Sequence, residues 1–352
     1  MNQLFRWDQM GLFLLALAAG ILPFAVPEVC AAALREGLTL CSGPLLLSLF
    51  PFLVVSRLLI QCPESDLLAL PFRLAAWGIG IRTPCAARVL CIGFLGGFAP
   101  AASAAAQAVR TGQLTAEEAD ALLPACICSG PSFVVLTVGQ SLLGSAELGV
   151  LLFASQITAN YLTAALLNRF AGVRSVKPGS AAPASPAPPR LDEILADAAI
   201  TYCKLCGFIL FFRMLAAGAG ALLPAGAGTL CSVLLEVCSG CDLASRTGRW
   251  GSLLCCAALS VQGLSVLLQV RTICPPEMTL RPLYRSRLLH LPLSLALFYL
   301  LLPGGEADVF STLPARVLLM RQVPPDCALL VFAVCCMAAC TLRSGIRQVE
   351  QK

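Results

Sequence analysis

Charge is what this chain has least of. Asp, Glu, Lys and Arg make up 12% of its 352 residues, against about 25% in soluble globular domains. Water alone cannot solvate a surface so poor in charge, so lipid must cover much of it. No basic run is dense enough to track a phosphate backbone, which argues against nucleic acid as a partner. Histidine occurs once, as His290, so a zinc site built from grouped His and Cys has little to draw on. No G-x-x-x-x-G-K-[ST] occurs. "WGIGIRT" (77–83) has G-x-G without the third glycine or a βαβ setting, so neither nucleotide motif is encoded. HExxH, GxSxG and triad-like groupings are also missing. The chain reads as a non-enzyme for which no cofactor and no metal are expected.

What is present is apolar and continuous. Hydrophobic residues reach 58% and the mean hydropathy is +0.84. The stretches are long rather than short and alternating, which favours helices over a β-barrel. An all-α polytopic membrane protein in a lipid bilayer follows. The 19 cysteines are scattered through these stretches, as in Cys255-Cys256 and Cys335-Cys336. Despite the CxxC spacings at Cys203–Cys206 and Cys238–Cys241, they read as small apolar helix residues.

A membrane-crossing helix needs about 20 apolar residues. Residues 1–44 hold a first candidate span, Met10–Val29, and a short segment at Cys30–Cys41 expected at the interface. The next apolar runs are Leu45–Ile60, Ala69–Ile81, Ala86–Val109, Leu122–Leu143 and Leu148–Phe170. Between them, Thr115 followed by Glu118 reads as a capping box that opens a helix. Residues 171–191 form a linker rich in Pro, Ala and Ser. Arg169, Arg174, Lys177 and Arg190 flank or punctuate it, which places 171–190 on the cytoplasmic side of a cell inner membrane. Further apolar runs lie near 194–223, 229–244, 252–270, 288–303 and 326–342. The tail carries Arg343, Arg347 and Lys352 and is also expected in the cytoplasm. The expected total is about eight spans. His290, after Arg285 and Arg287, reads as an interfacial residue.

The two halves repeat. "PLLLSLFPFLVVSRLL" is answered by "KLCGFILFFRMLAAG", "LGGFAPAASA" (95–104) by "LLEVCSGCDLA" (234–244), and "ACICSGPSFVVLTVG" (125–139) by "ALSVQGLSVLLQV" (258–270). The first repeat occupies 45–170 and the second 192–303, with a further helix and basic tail over 304–352.

Each half interrupts its apolar runs with residues that loosen or end helices. The interruptions are Gly96–Ser103, Ser129–Ser132, Glu236–Asp242 and Gln262–Ser265. Irregular backbone inside hydrocarbon leaves polar groups unpaired at several kcal/mol each, unless protein or a wet cavity surrounds it. Carriers use paired breaks of this kind for their substrate sites. The candidate binding residues are therefore Gly97, Pro100, Ser103, Ser129, Gly130, Pro131, Ser132, Glu236, Ser239, Gly240, Gln262, Gly263, Ser265 and Gln269. The competing reading is close helix packing by small residues. Glu236 follows "SVLL", where a carboxylate faces a cavity or partner by default; Asp242 fits either a site or a solvated loop. Gln262 and Gln269, seven apart, share one helical face.

"LFPFLVVSRLL", "GFAPAASAAAQAVRTGQLTAEEADALL", "CSGPSFVVLTVG", "LLEVCSG" and "QGLSVLLQV" with "LLH" resemble, in this order, the sporulation integral membrane protein YlbJ family. The likeness covers roughly residues 28–300. It is most specific from Gly96 to Gly139, through Gly97-Phe98-Ala99-Pro100, Gly112–Ala119 and Ser129-Gly130-Pro131. That family carries a nucleoside-recognition or Gate domain. The resemblance implies two Gate-like repeats with discontinuous helices that move a small polar or anionic solute, nucleoside-like or dipicolinate, during sporulation. A coupling ion, H+ or Na+, and a homo-oligomer are compatible with it. The chain departs from the family at Ile127-Cys128, where two Asn are usual, at Ala101–Ala104, where Gly-Ala-Lys is usual, and at Val261-Gln262, where Phe-Gly is usual. A non-transporting membrane scaffold for a sporulation complex is the alternative.

Overall fold

A computed structural model describes residues 2–61, 63–172 and 190–302, and every regular element among them is helical. The helices are α1 (Asn2–Ala25), α2 (Pro27–Ser42), α3 (Pro44–Gln61), α4 (Leu70–Gly78), α5 (Pro84–Gly96), α6 (Phe98–Arg110) and α7 (Ala116–Cys126). A π-helix at Ser132–Leu142 follows. Then come α8 (Ala146–Ala171), α9 (Leu191–Leu222), α10 (Ala225–Leu235), α11 (Val237–Ser245), α12 (Gly251–Val261), α13 (Gly263–Ile273) and α14 (Arg281–Leu301).

Local chemistry sets several boundaries. The expected capping box is present: Glu118 N–H donates to Thr115 Oγ1 and Thr115 N–H donates to Glu118 Oε2, each at 3.1 Å. Glu118 also accepts from Thr83 Oγ1 at 2.6 Å, tying the start of α7 to the residue before α5. Ser145 caps α8, and Gly172 ends it in a left-handed conformation.

Two helix pairs turn back on themselves. A Cβ added to Gly93 would lie 3.2 Å from the Cβ of Ala101, although a continuous helix separates residues eight apart by about 12 Å. A Cβ on Gly240 would lie 2.8 Å from the Cα of Val233. So α5–α6 and α10–α11 are hairpins with tips at Gly97 and Glu236. Their arms hold 13, 13, 11 and 9 residues, or about 14–20 Å, too short to cross about 30 Å of hydrocarbon singly. The sequence marks the interruption inside Ala86–Val109, but not that the chain reverses there. The other two breaks behave differently. α7 and the π-helix scarcely touch each other, and neither do α12 and α13. These are broken helices rather than hairpins. The order of helix, hairpin, broken helix and long helix occurs twice, through α3, α5–α6, α7 with the π-helix and α8, then through α9, α10–α11, α12–α13 and α14.

The halves are joined by polar tethers. Asp120 on α7 accepts from Thr279 N–H at 2.8 Å, Thr279 Oγ1 at 2.7 Å and Leu280 N–H at 3.1 Å, fixing the approach to α14. Arg57 on α3 pairs with Asp197 on α9 at 2.6 Å, and Arg213 on α9 pairs with Glu36 on α2 at 2.7 Å.

Four segments are long and apolar enough to cross a membrane: Pro27–Leu47, Ala146–Ala171, Leu191–Leu222 and Gly248–Ile273. Large apolar side chains such as Phe24, Phe170, Leu288 and Leu300 point outward, as lipid-facing residues do. A membrane protein of all-α class follows. Some boundaries differ from the sequence reading. Met10–Val29 divides at Val26 because Pro27 starts a new helix. The supposed interfacial segment Cys30–Cys41 belongs to α2, which packs on α9 and buries Cys30, Ala33, Gly37 and Cys41. Residues 173–189 of the linker, the run 326–342 and the basic tail lie outside the described residues.

Candidate functional site

The four breaks meet in two contacts. At the tip of the first hairpin Gly97 has φ 82° and ψ −163°, a region open in practice only to glycine. A Cβ there would stand 2.6 Å from Gly130 N and 2.9 Å from Gly130 Cα. Backbone touches backbone, so the first hairpin tip rests on the break of the first broken helix. At the second hairpin, a Cβ on Gly263 would stand 3.0 Å from Leu235 O and 3.1 Å from Glu236 N. Gln262 and Gly263 are both left-handed, each at φ 67°, which lets α13 depart in a new direction from α12. Gly130 itself does not have positive φ among the described backbone. It is Gly97 that needs glycine's dihedral freedom, while Gly130 provides clearance.

The two contacts are brought side by side by α11 packing on the π-helix and α13 packing on α6. Between them lies a half-enclosed cavity of about 60 Å³. Its wall takes Gly96 and Phe98 from the first tip, Ser129, Gly130, Ser132 and Phe133 from the first break, Glu236, Val237 and Cys238 from the second tip, and Val266 and Gln269 from α13. Leu45, Leu49, Leu95 and Ile209 close the apolar side.

Of the residues singled out from sequence, Ser129, Gly130, Ser132, Glu236 and Gln269 line this cavity. The rest stand behind it. Gly97 supports Gly130. Pro100 is buried in the first turn of α6, and Ser103 below it has a buried hydroxyl with no partner among the described residues. Pro131 precedes the π-helix. Ser239 donates from both N–H and Oγ to Glu236, while Gly240 gives α10 room to pack. Gln262 turns away, its Nε2 donating to Leu259 O at 2.7 Å. Ser265 accepts from Gln269 Nε2 at 2.9 Å.

Glu236 is 2% exposed and caps α11. Oε1 accepts from Cys238 N–H at 2.9 Å, and Oε2 accepts from Ser239 N–H at 2.7 Å and Ser239 Oγ at 2.9 Å. Three donors and the positive helix end therefore hold its charge in an apolar setting. Gln269, also 2% exposed, keeps an Oε1 that meets no protein donor.

A second polar group lies behind the first broken helix. Breaking α7 leaves carbonyls at its end without helical partners. Ile127 O accepts from Asn160 Nδ2 at 3.2 Å and from Arg287 Nη1 at 3.4 Å, and Arg287 Nη2 donates to Asn160 Oδ1 at 3.0 Å. Arg287 is 8% exposed and has no carboxylate within salt-bridge distance among the described residues. His290 is wholly buried, with Nε2 3.2 Å from Gln156 O; the interfacial reading of His290 is corrected. The Arg285–Arg287 cluster signals an interface in sequence, but α8 and α12 cover this face of α14. A usable signal was present: Gln156 and Asn160 are four apart and Arg287, His290 and Ser294 recur at three and four, so each set shares a helical face.

Among the described residues the cysteines are free thiols, mostly buried, in keeping with their reading as small apolar side chains. Compared with family models, curated proteins and solved structures, the chain matches none.

Proposed function

We propose that this protein is a membrane carrier that binds a small polar solute between two helical hairpins and two broken helices. The observation that carries the reading is that three of the chain breaks line one cavity, while the fourth, at Gln262-Gly263, rests against the second hairpin tip behind it. Close packing by small residues explains any single break. It does not require three of them to line one cavity together with the Gln269 side chain, with the fourth backing the second tip. In this reading residues 45–170 and 192–303 are two Gate-like repeats, inverted with respect to each other. The count of about eight spans adds to the four long segments the shorter apolar helices and the run 326–342. The resemblance to the YlbJ family supports a sporulation setting, an inner-membrane location, and a coupling ion.

The test is counterflow in proteoliposomes holding the full chain, with a radiolabelled panel of neutral, cationic and anionic solutes. One class should accumulate with wild type and fail with Gly130→Leu, whose Cβ would press on the Gly96 carbonyl at 3.3 Å and force the first hairpin tip off the break. Accumulation by neither protein, or by both equally, would favour the scaffold reading.

A further inference from the structure

We infer that the cavity takes an uncharged solute that presents N–H or O–H donors along one edge, and that it rejects small carboxylates. The inference deepens the carrier reading and rests on the same cavity.

Three observations exclude an anion. Among the described residues, no Lys or Arg lines the cavity. The feature best suited to hold an anion there, the N-terminus of α11, is already filled: Glu236 takes the Cys238 and Ser239 N–H groups. An incoming carboxylate would have to displace Glu236 or sit beside it, and like charges in a poorly solvated site repel strongly. Arg213 on α9 is bound to Glu36 at 2.7 Å and is not part of the wall.

A cation is disfavoured for a different reason. The Glu236 carboxylate is compensated within the protein by three donors and a helix end. A bound cation would lose its hydration against Leu45, Leu49, Phe98 and Phe133 without gaining an uncommitted counter-charge.

What the wall leaves open is neutral. Gln269 Oε1 is buried and has no partner among the described residues, an acceptor that needs a donor. The hydroxyls of Ser129 and Ser132 form no hydrogen bond among the described residues and face the same space. Most of the remaining wall is hydrocarbon and phenyl. A donor-bearing edge and a flat apolar body satisfy both sides.

The test uses two probes of nearly equal shape, pyridine-2,6-dicarboxamide and pyridine-2,6-dicarboxylate. Cys238 lines the cavity and is half-buried, so it reports occupancy. Its labelling by N-ethylmaleimide in the purified full chain is read on the Cys238 peptide by mass spectrometry. The dicarboxamide, at about ten times its Kd, should slow labelling about tenfold, while the dicarboxylate at equal concentration leaves the rate unchanged. Gln269→Leu should weaken protection by the dicarboxamide about tenfold without altering the unprotected rate. If that variant does not fold, Ser132→Ala replaces it, with a smaller loss in the same direction. Protection by the dicarboxylate, or by neither compound, overturns the inference. Protection by the dicarboxamide without any solute movement into proteoliposomes retains the site and refutes the carrier. Movement of carboxylates alone retains the carrier and refutes this selectivity.

Discussion

Replacing Gly97 with alanine tests whether the hairpin tip and the broken helix must touch. The added Cβ meets backbone only: Gly130 N at 2.6 Å, Gly130 Cα at 2.9 Å and Cys128 O at 3.2 Å. No side chain can rotate away, so either the tip lifts or the break at Gly130 opens. The dihedral strain of a non-glycine residue at φ 82° is about 1–3 kcal/mol, and forced repacking adds about 1–3 kcal/mol. Together they predict about 2–6 kcal/mol. Gly112→Ala is the control, because Gly112 has φ 69° and nothing within 4 Å of its ideal Cβ. It carries the strain alone, about 1–2 kcal/mol. Thermal unfolding of the two variants in detergent, after normalising for membrane abundance, separates strain from contact. Gly97→Ala should unfold well below Gly112→Ala and expose Cys238 to labelling, since the displaced tip forms part of the same wall. Equal midpoints would refute the idea that backbone contact at Gly97 and Gly130 holds the site together.

Glu236→Gln keeps the volume and one acceptor oxygen but removes the charge at the α11 N-terminus. It should reach the membrane at wild-type level and lose solute movement in proteoliposomes; wild-type transport and wild-type pH dependence would make Glu236 purely a helix cap. Arg287→Ala strips donors from Ile127 O and Asn160 Oδ1 and should destabilise by about 1–3 kcal/mol, measured by chemical denaturation. Asp120→Asn can accept with only one oxygen, so a Thr279 or Leu280 N–H loses its partner. A similar loss is expected, with earlier proteolysis at the 274–280 connection. Reporter fusions in the 171–190 linker and at the C-terminus should both report the cytoplasm, and protection of either from cytoplasmic reagents would sink that orientation.

Much of the helical architecture is written locally. The scarcity of charge and the length of the apolar runs require lipid-facing helices whatever the tertiary arrangement. The capping box at Thr115 and Glu118 involves residues three apart, and the structure forms it as the spacing prescribes. The breaks are local too: Gly96-Gly97, Ser129-Gly130-Pro131 and Gln262-Gly263 weaken a helix through missing side chains, a missing donor or left-handed backbone, so each is visible in a window of a few residues. Glu236 was visible as a carboxylate in an apolar run.

Sequence left undecided what each break does. A glycine says that a helix can end, but the direction of the next helix depends on what covers it. The chain reverses at Gly97 and Glu236 because the partner arm and a second break pack there. At Gln262 it carries on, turned by two left-handed residues. Only the tertiary fold places Glu236 in the wall of the cavity, although its commitment to the end of α11 is local, to Cys238 and Ser239 two and three residues on. It alone buries Arg287 and His290, because their partners Asn160 and Gln156 sit more than 120 residues away. Charge, periodicity and chain-breaking residues act over one or two helical turns and can be read along the chain. Burial, the pairing of breaks and the shape of the cavity arise from contacts between distant segments, and only packing them together determines these.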